Sequence, residues 1–134
     1  MEQGVQLTAP QLYQATVQRT AVYQAFRKLF ERYDYVAAPS AQVFPFDAEL
    51  HWPRSVAGVA MDTYHRWMEI VTPFTLASLP VVSVPVGFGA AGLPMGLQLA
   101  GPARADRSVL ALARAWEAMA PWSTQRPPAV ARLA

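Results

Sequence analysis

The sequence predicts an α/β chain, with a small mixed sheet of about three strands packed with helices. Three observations carry this. A helical period of apolar residues runs over residues 8–33. Two short apolar runs, residues 80–86 and 93–99, are separated by a Gly/Ala turn at 87–92 and read as paired strands. A second helical period covers residues 105–120. Helices alternating with short buried strands make the α/β class, and 134 residues is the length of one domain.

Taken in order, Thr8 is placed to cap the first helix, with Gln11 three residues on as in a capping box and Pro10 tolerated in the first turn. Leu12, Ala15, Val22, Phe26, Leu29 and Tyr33 form one stripe, to be buried on the sheet. Gln14, Gln18, Gln24, Lys28, Glu31 and Arg32 form the polar face. Arg19 falls on the stripe, either snorkelling to the rim or pairing with an acid. Residues 35–38 read as a strand stopped by Pro39-Ser40. Residues 41–57 have no period and read as a long irregular loop rich in aromatics and proline. Residues 59–77 read as helical in two pieces, capped by Asp62 and broken at Pro73. In the strand pair, Pro80 and Pro85 belong at an end, an edge or a bulge. The last helix carries a stripe of Val109, Leu112, Ala113, Trp116 and Ala120, and residues 121–134 form an extended, partly disordered tail.

Composition narrows the function. The chain is 53% hydrophobic and 15% charged, against about 25% charged in ordinary domains. That balance calls for a well-filled core or a surface covered by another chain. A net charge of +2, with arginines scattered singly, argues against nucleic acid. With no cysteine, disulfides, cysteine–zinc sites and a cysteine nucleophile are excluded. No secretory leader and no run of about 18 apolar residues is present, so the expectation is a cytoplasmic chain with no membrane partner.

Candidate chemistry is sparse. Asp47, Glu49 and His51 stand at alternate positions, and His65 lies near Asp62, but neither set has the ligand number and spacing of a zinc site. No metal is expected. Ser83 sits inside a predicted strand, and Ser40 and Ser55 flank the loop without an evident base. Lys28, the single lysine, lies on a polar helix face, whereas a lysine base needs burial. Gly87-Phe88-Gly89 follows a strand but opens no helix, so it is no phosphate cradle. The aromatics Phe44, Phe46, Trp52, Tyr64, Trp67 and Phe74 crowd the loop and the helix after it. They either pin the loop to the core or line an apolar ligand pocket.

Residues 73–117 resemble the C-terminal end of the amidase signature family. The family pattern G-x-P-A-x-S-x-P-x-G is met by Leu79-Pro80, Ser83, Pro85 and Gly87. The pattern G-L-P-x-G-x-Q-x-x-G is met by Gly92-Leu93-Pro94, Gly96, Gln98 and Gly101. Asp106, Leu110, Ala113 and Glu117 match the closing helix, and Tyr33–Ser40 resembles the strand before the family's variable loop. Thr75 and Ser78 stand where the family often has Asn and Gly, and Val81 where Ala is common. The larger departure is that nothing here matches the family's Gly/Ser-rich stretch with its nucleophilic and second serines, nor its upstream catalytic lysine.

The resemblance implies a partial amidase-signature fold from an enzyme that hydrolyses carboxamides through an acyl-enzyme, without metal or organic cofactor. It implies no catalytic residue in this chain. The chain would supply scaffold and one wall of the cleft for a small amide, with Phe46, Trp52, Tyr64, Trp67, Met68 and Thr72 as the wall candidates. Strands cut from a larger sheet leave edges and apolar faces open. The expected partner is therefore a complementary N-terminal amidase segment, or a second copy of the chain. A non-catalytic binding or assembly module is the alternative.

Overall fold

A computed structural model describes residues 6–120, with 122 and 125. The predicted tail at 121–134 therefore lies almost wholly outside the described residues. Three helices, α1 (Ala9–Leu29), α2 (Thr72–Leu76) and α3 (Asp106–Met119), accompany five strands. These are β1 (Val36–Pro39), β2 (Ser55–Val56), β3 (Val59–Ala60), β4 (Val81–Phe88) and β5 (Pro94–Ala100).

The main sheet has the order β1-β5-β4. Both ladders are antiparallel, with Ala38 opposite Gln98 on one side and Ser83 opposite Gln98 on the other. β1 and β4 thus run parallel to each other across β5. Any parallel pairing of a mixed sheet would have to come from strands beyond these three. The alternation of β4 and β5 sorts their side chains by face. Val84 and Leu99 bury themselves with Ala113 of α3, and Val82, Leu97, Leu112 and Trp116 pack around them. The predicted α3 stripe is thus the face that meets the sheet. Gly101 is needed where α3 crosses: a Cβ there would lie 2.6 Å from Val109 Cγ2.

Pro85 lies inside β4, where the register slips between Pro85 and Gly87. That bulge absorbs the missing donor. The Trp116 indole donates to the Pro85 carbonyl at 3.0 Å and pins the bulge to α3. The turn into β5 closes through Gly89 N–H to Leu93 O and Gly92 N–H to Gly89 O, both 2.9 Å.

Several expectations need correction. The first helix ends at Leu29, and residues 30–32 form turns. Its start is as expected, with Gln11 Oε1 accepting from the Thr8 N–H at 2.8 Å and from the Thr8 hydroxyl at 2.9 Å. Its stripe, however, buries no residue. Leu12 is 62% exposed, and only Val22, Phe26 and Leu29 are half-buried. The helix leans on α2 through Phe26 and Phe74, whose ring centroids are 5.3 Å apart. Arg19 meets no acid: it donates to the Leu76 carbonyl at 2.9 Å and to Ser78 Oγ at 3.0 Å. Helical spacing sets which residues share a face, but not whether anything covers it.

The stretch expected as loop and then helix contains the β2–β3 hairpin instead. Its turn residues Ala57 and Gly58 both have positive φ, 49° and 80°, as a two-residue I′ turn requires. Asp62 caps nothing and pairs with Arg66 at 3.3 Å. The helical pieces are a 3₁₀ turn, Arg66–Met68, and α2. After α2, Ser78 takes φ 54°, the left-handed helix-ending position that favours glycine. This accounts for the glycine common at this place in the resembling pattern.

Candidate functional site

The wall candidates fall into an aromatic row and a polar cleft. In the row, Phe46 meets Trp67 edge-on at 5.6 Å, Trp67 meets Tyr64 at 6.0 Å, and Tyr64 meets Trp52 at 6.3 Å. Such edge-to-face pairs fix ring orientation as well as burying area. The row is anchored at one end by the Trp52 indole, which donates to the Met61 carbonyl at 3.1 Å beside the hairpin. Arg54 lies 4.9 Å over the Trp52 ring. At the other end, Phe46 and Trp67 line a pocket of about 180 Å³ with Phe44, Met95, Ser40 and Gly96. Trp67 Nε1 is buried and has no hydrogen-bond partner among the described residues.

This pocket opens beside the sheet because two glycines permit close approach. A Cβ on Gly89 would sit 2.7 Å from the Phe44 ring. A Cβ on Gly96 would collide with Ser40 Oγ and lie 3.1 Å from Ser83 Oγ. The two serine hydroxyls thus flank Gly96 on the face of β4 and β5 turned away from α3. Ser83 and Val81 are exposed there.

Thr72 lies apart from the row. It lines an open cleft of about 570 Å³ with Thr63, His65, Arg66, Glu69 and Pro73. Met68 is half-buried, and its carbonyl accepts from the Thr72 hydroxyl at 3.1 Å. The structure therefore gathers Phe46, Trp52, Tyr64 and Trp67, and separates Thr72 from them. Sequence reading did not bring Ser40, Met95 and Gly96 beside Phe46 and Trp67, because only cross-strand pairing sets β1 and β5 beside the loop. It also missed Arg66 and Glu69, whose one-turn spacing falls on a 3₁₀ segment too short to show a period.

Gln98 holds these parts in register. It is 4% exposed, and its Nε2 donates to the Pro39 carbonyl at 2.8 Å and the Ile70 carbonyl at 3.1 Å. One side chain thereby ties β5 to the end of β1 and to the segment entering α2. Among the described residues, no lysine or histidine lines the aromatic pocket with Ser40. Lys28 is exposed on α1, His51 is exposed beside Trp52, and His65 lines the separate polar cleft. Among the described residues, no three metal-ligating side chains come together.

The three-stranded sheet thus carries Gly96 and Gln98 on its central strand, with α3 packed on one face. The amidase family model matches residues 1–110, and the chain belongs to the amidase signature family. Over 109 residues it is 37% identical to a subunit of the glutamyl-tRNA(Gln) amidotransferase of Streptococcus thermophilus, covering 81% of this chain and 21% of that protein. Among solved structures, a bacterial aryl acylamidase of the amidase signature family superposes with a TM-score of 0.81 at 26% identity, over 91% of this chain and 25% of that one. The corresponding amidotransferase subunit of Thermotoga maritima gives 0.65 at 30% identity, over 82% and 23%. The chain therefore spans about a fifth to a quarter of the length of these relatives. Among the described residues, no helix is long and apolar enough to cross a membrane.

Proposed function

We propose that this chain is the C-terminal portion of an amidase that hydrolyses carboxamide C–N bonds through an acyl-enzyme. It contributes scaffold and one wall of the substrate cleft and does not catalyse alone. The observation that carries this is the match along most of the chain to only a fifth to a quarter of each relative. The nucleophile, its second serine and the lysine belong to sequence that the chain does not contain. In this reading the apolar part of a small amide rests on Phe46 and Trp67, with Phe44 and Met95 completing the pocket. Trp52 and Tyr64 brace those rings, and Met68 and Thr72 carry the wall toward the second cleft. Burial on aromatic surface with a few polar groups is how such pockets select a ligand. The relatives' named reaction on glutamyl-tRNA and the aryl acylamidase's on aryl amides are two substrate classes open to the complete enzyme.

The exposed faces of α1 and β4 favour association as the accompanying role. A complementary N-terminal amidase segment is the partner that would complete the sheet, and self-association is the fallback of the isolated chain. Incubation with aryl amides and a fluorophosphonate probe tests the catalytic clause. The expected result is no turnover and no labelled serine. Stoichiometric labelling of one serine, or saturable turnover, would overturn it.

A further inference from the structure

Between α1, the end of α2 and the loop after β5 lies an open cleft of about 410 Å³, lined by residues distinct from those of the aromatic pocket. Arg19 and Arg104 line it with no carboxylate among the lining residues. This is unlike Arg27 and Arg66, which pair with Glu31 and Asp62 at 3.2 and 3.3 Å. Arg19 and Arg104 form no ion pair among the described residues. Arg19 is already held in place by the Leu76 carbonyl and Ser78 Oγ. Two of its five N–H donors are used there, and the other three meet no acceptor among the described residues. Ser78 Oγ accepts that bond, so its own hydrogen remains available to donate. Ser78 and Arg104, with φ of 54° and 67°, are two of the three described non-glycine residues in the left-handed region. Strained backbone of this kind clusters at ligand sites. Tyr23, Leu76 and Ala103 also line the cleft.

We propose that this cleft binds a free small carboxylate on a short aliphatic chain. The Arg19 fork takes the carboxylate, a geometry that guanidinium matches with two parallel bonds. Arg104 supplies the second positive charge, and Ser78 and Tyr23 donate hydroxyl hydrogens. Leu76 and Ala103 face the chain. A bare phosphate would leave that apolar side unused, and a neutral amide would leave both guanidinium charges unanswered. This assignment concerns the isolated chain, in which the α1 face stands open, and does not rest on the amidase reading.

The test titrates the full chain with hexanoate at fixed ionic strength, using hexanamide and inorganic phosphate as comparison probes. Calorimetry and the arginine Nε–H resonances are the readouts. Expected is saturable millimolar binding of hexanoate that shifts the Arg19 resonance, with both comparison probes at least tenfold weaker. Arg104→Gln, which removes no hydrogen bond found among the described residues, should weaken hexanoate at least tenfold with an unchanged melting temperature. Arg19→Lys keeps the charge without the fork and should also weaken it. Equal binding of hexanamide or phosphate, unsaturable binding, or an indifferent Arg104→Gln would overturn the proposal. So would hexanoate-driven release of associated chains into monomers, which would assign the cleft to an acidic side chain of a second copy.

Discussion

Gln98 shows how one residue can join three segments. Its amide nitrogen serves two carbonyls from elements 28 and 59 residues away in sequence. A buried carbonyl left without a donor costs about 1–3 kcal/mol. Gln98→Leu keeps the volume and removes the donor, so urea unfolding should show a loss of about 1–3 kcal/mol. An unchanged midpoint would mean that water replaces the amide. The sequence marked Gln98 as part of the family pattern. Its partners were not legible, because both are backbone atoms whose approach depends on the β1–β5 register.

At the scale of elements, α3 meets the sheet at a close contact between Gly101 and Val109. Val109 is 2% exposed and β-branched, so its methyl has little freedom to move away from a new Cβ on Gly101. Gly101→Ala should therefore destabilise by about 1–3 kcal/mol through overpacking. Trimming the neighbour should relieve part of that, so Gly101→Ala with Val109→Ala should cost less than the sum of the two singles. Strict additivity in a denaturation cycle would show that the two positions are not in contact. α3 and the strand pair were legible from period and turn residues, since each buries the face that its own spacing creates. The hairpin at Ser55–Ala60 was not legible, because Ala57-Gly58 is a weaker turn signal than Asn-Gly and its strands are two residues long.

For the whole molecule, the decisive quantity is the apolar surface that its own core leaves open. Leu12, Tyr13, Val17 and Tyr23 of α1 are 38–67% exposed, and Val81 of β4 is 40% exposed. β1 and β4 each have an edge that no described strand pairs. Exposed apolar patches and open edges drive association. Sedimentation velocity should show species larger than a monomer, with strong binding of an apolar dye. A single monomeric boundary with little dye binding would refute this.

The sequence by itself determined the α/β class, the α3 stripe, the strand pair and the family, because these rest on local period, turn residues and motif spacing. Only the tertiary structure decided what each face meets. It left the α1 stripe only half-covered at Val22, Phe26 and Leu29, turned Arg19 onto backbone and a serine, and brought Ser40, Met95 and Gly96 beside Phe46 and Trp67. It also separated Thr72 from the aromatic row. Periodicity records which side chains share a surface. Which surfaces touch depends on strand order and register, and those are set by contacts between residues far apart in the chain.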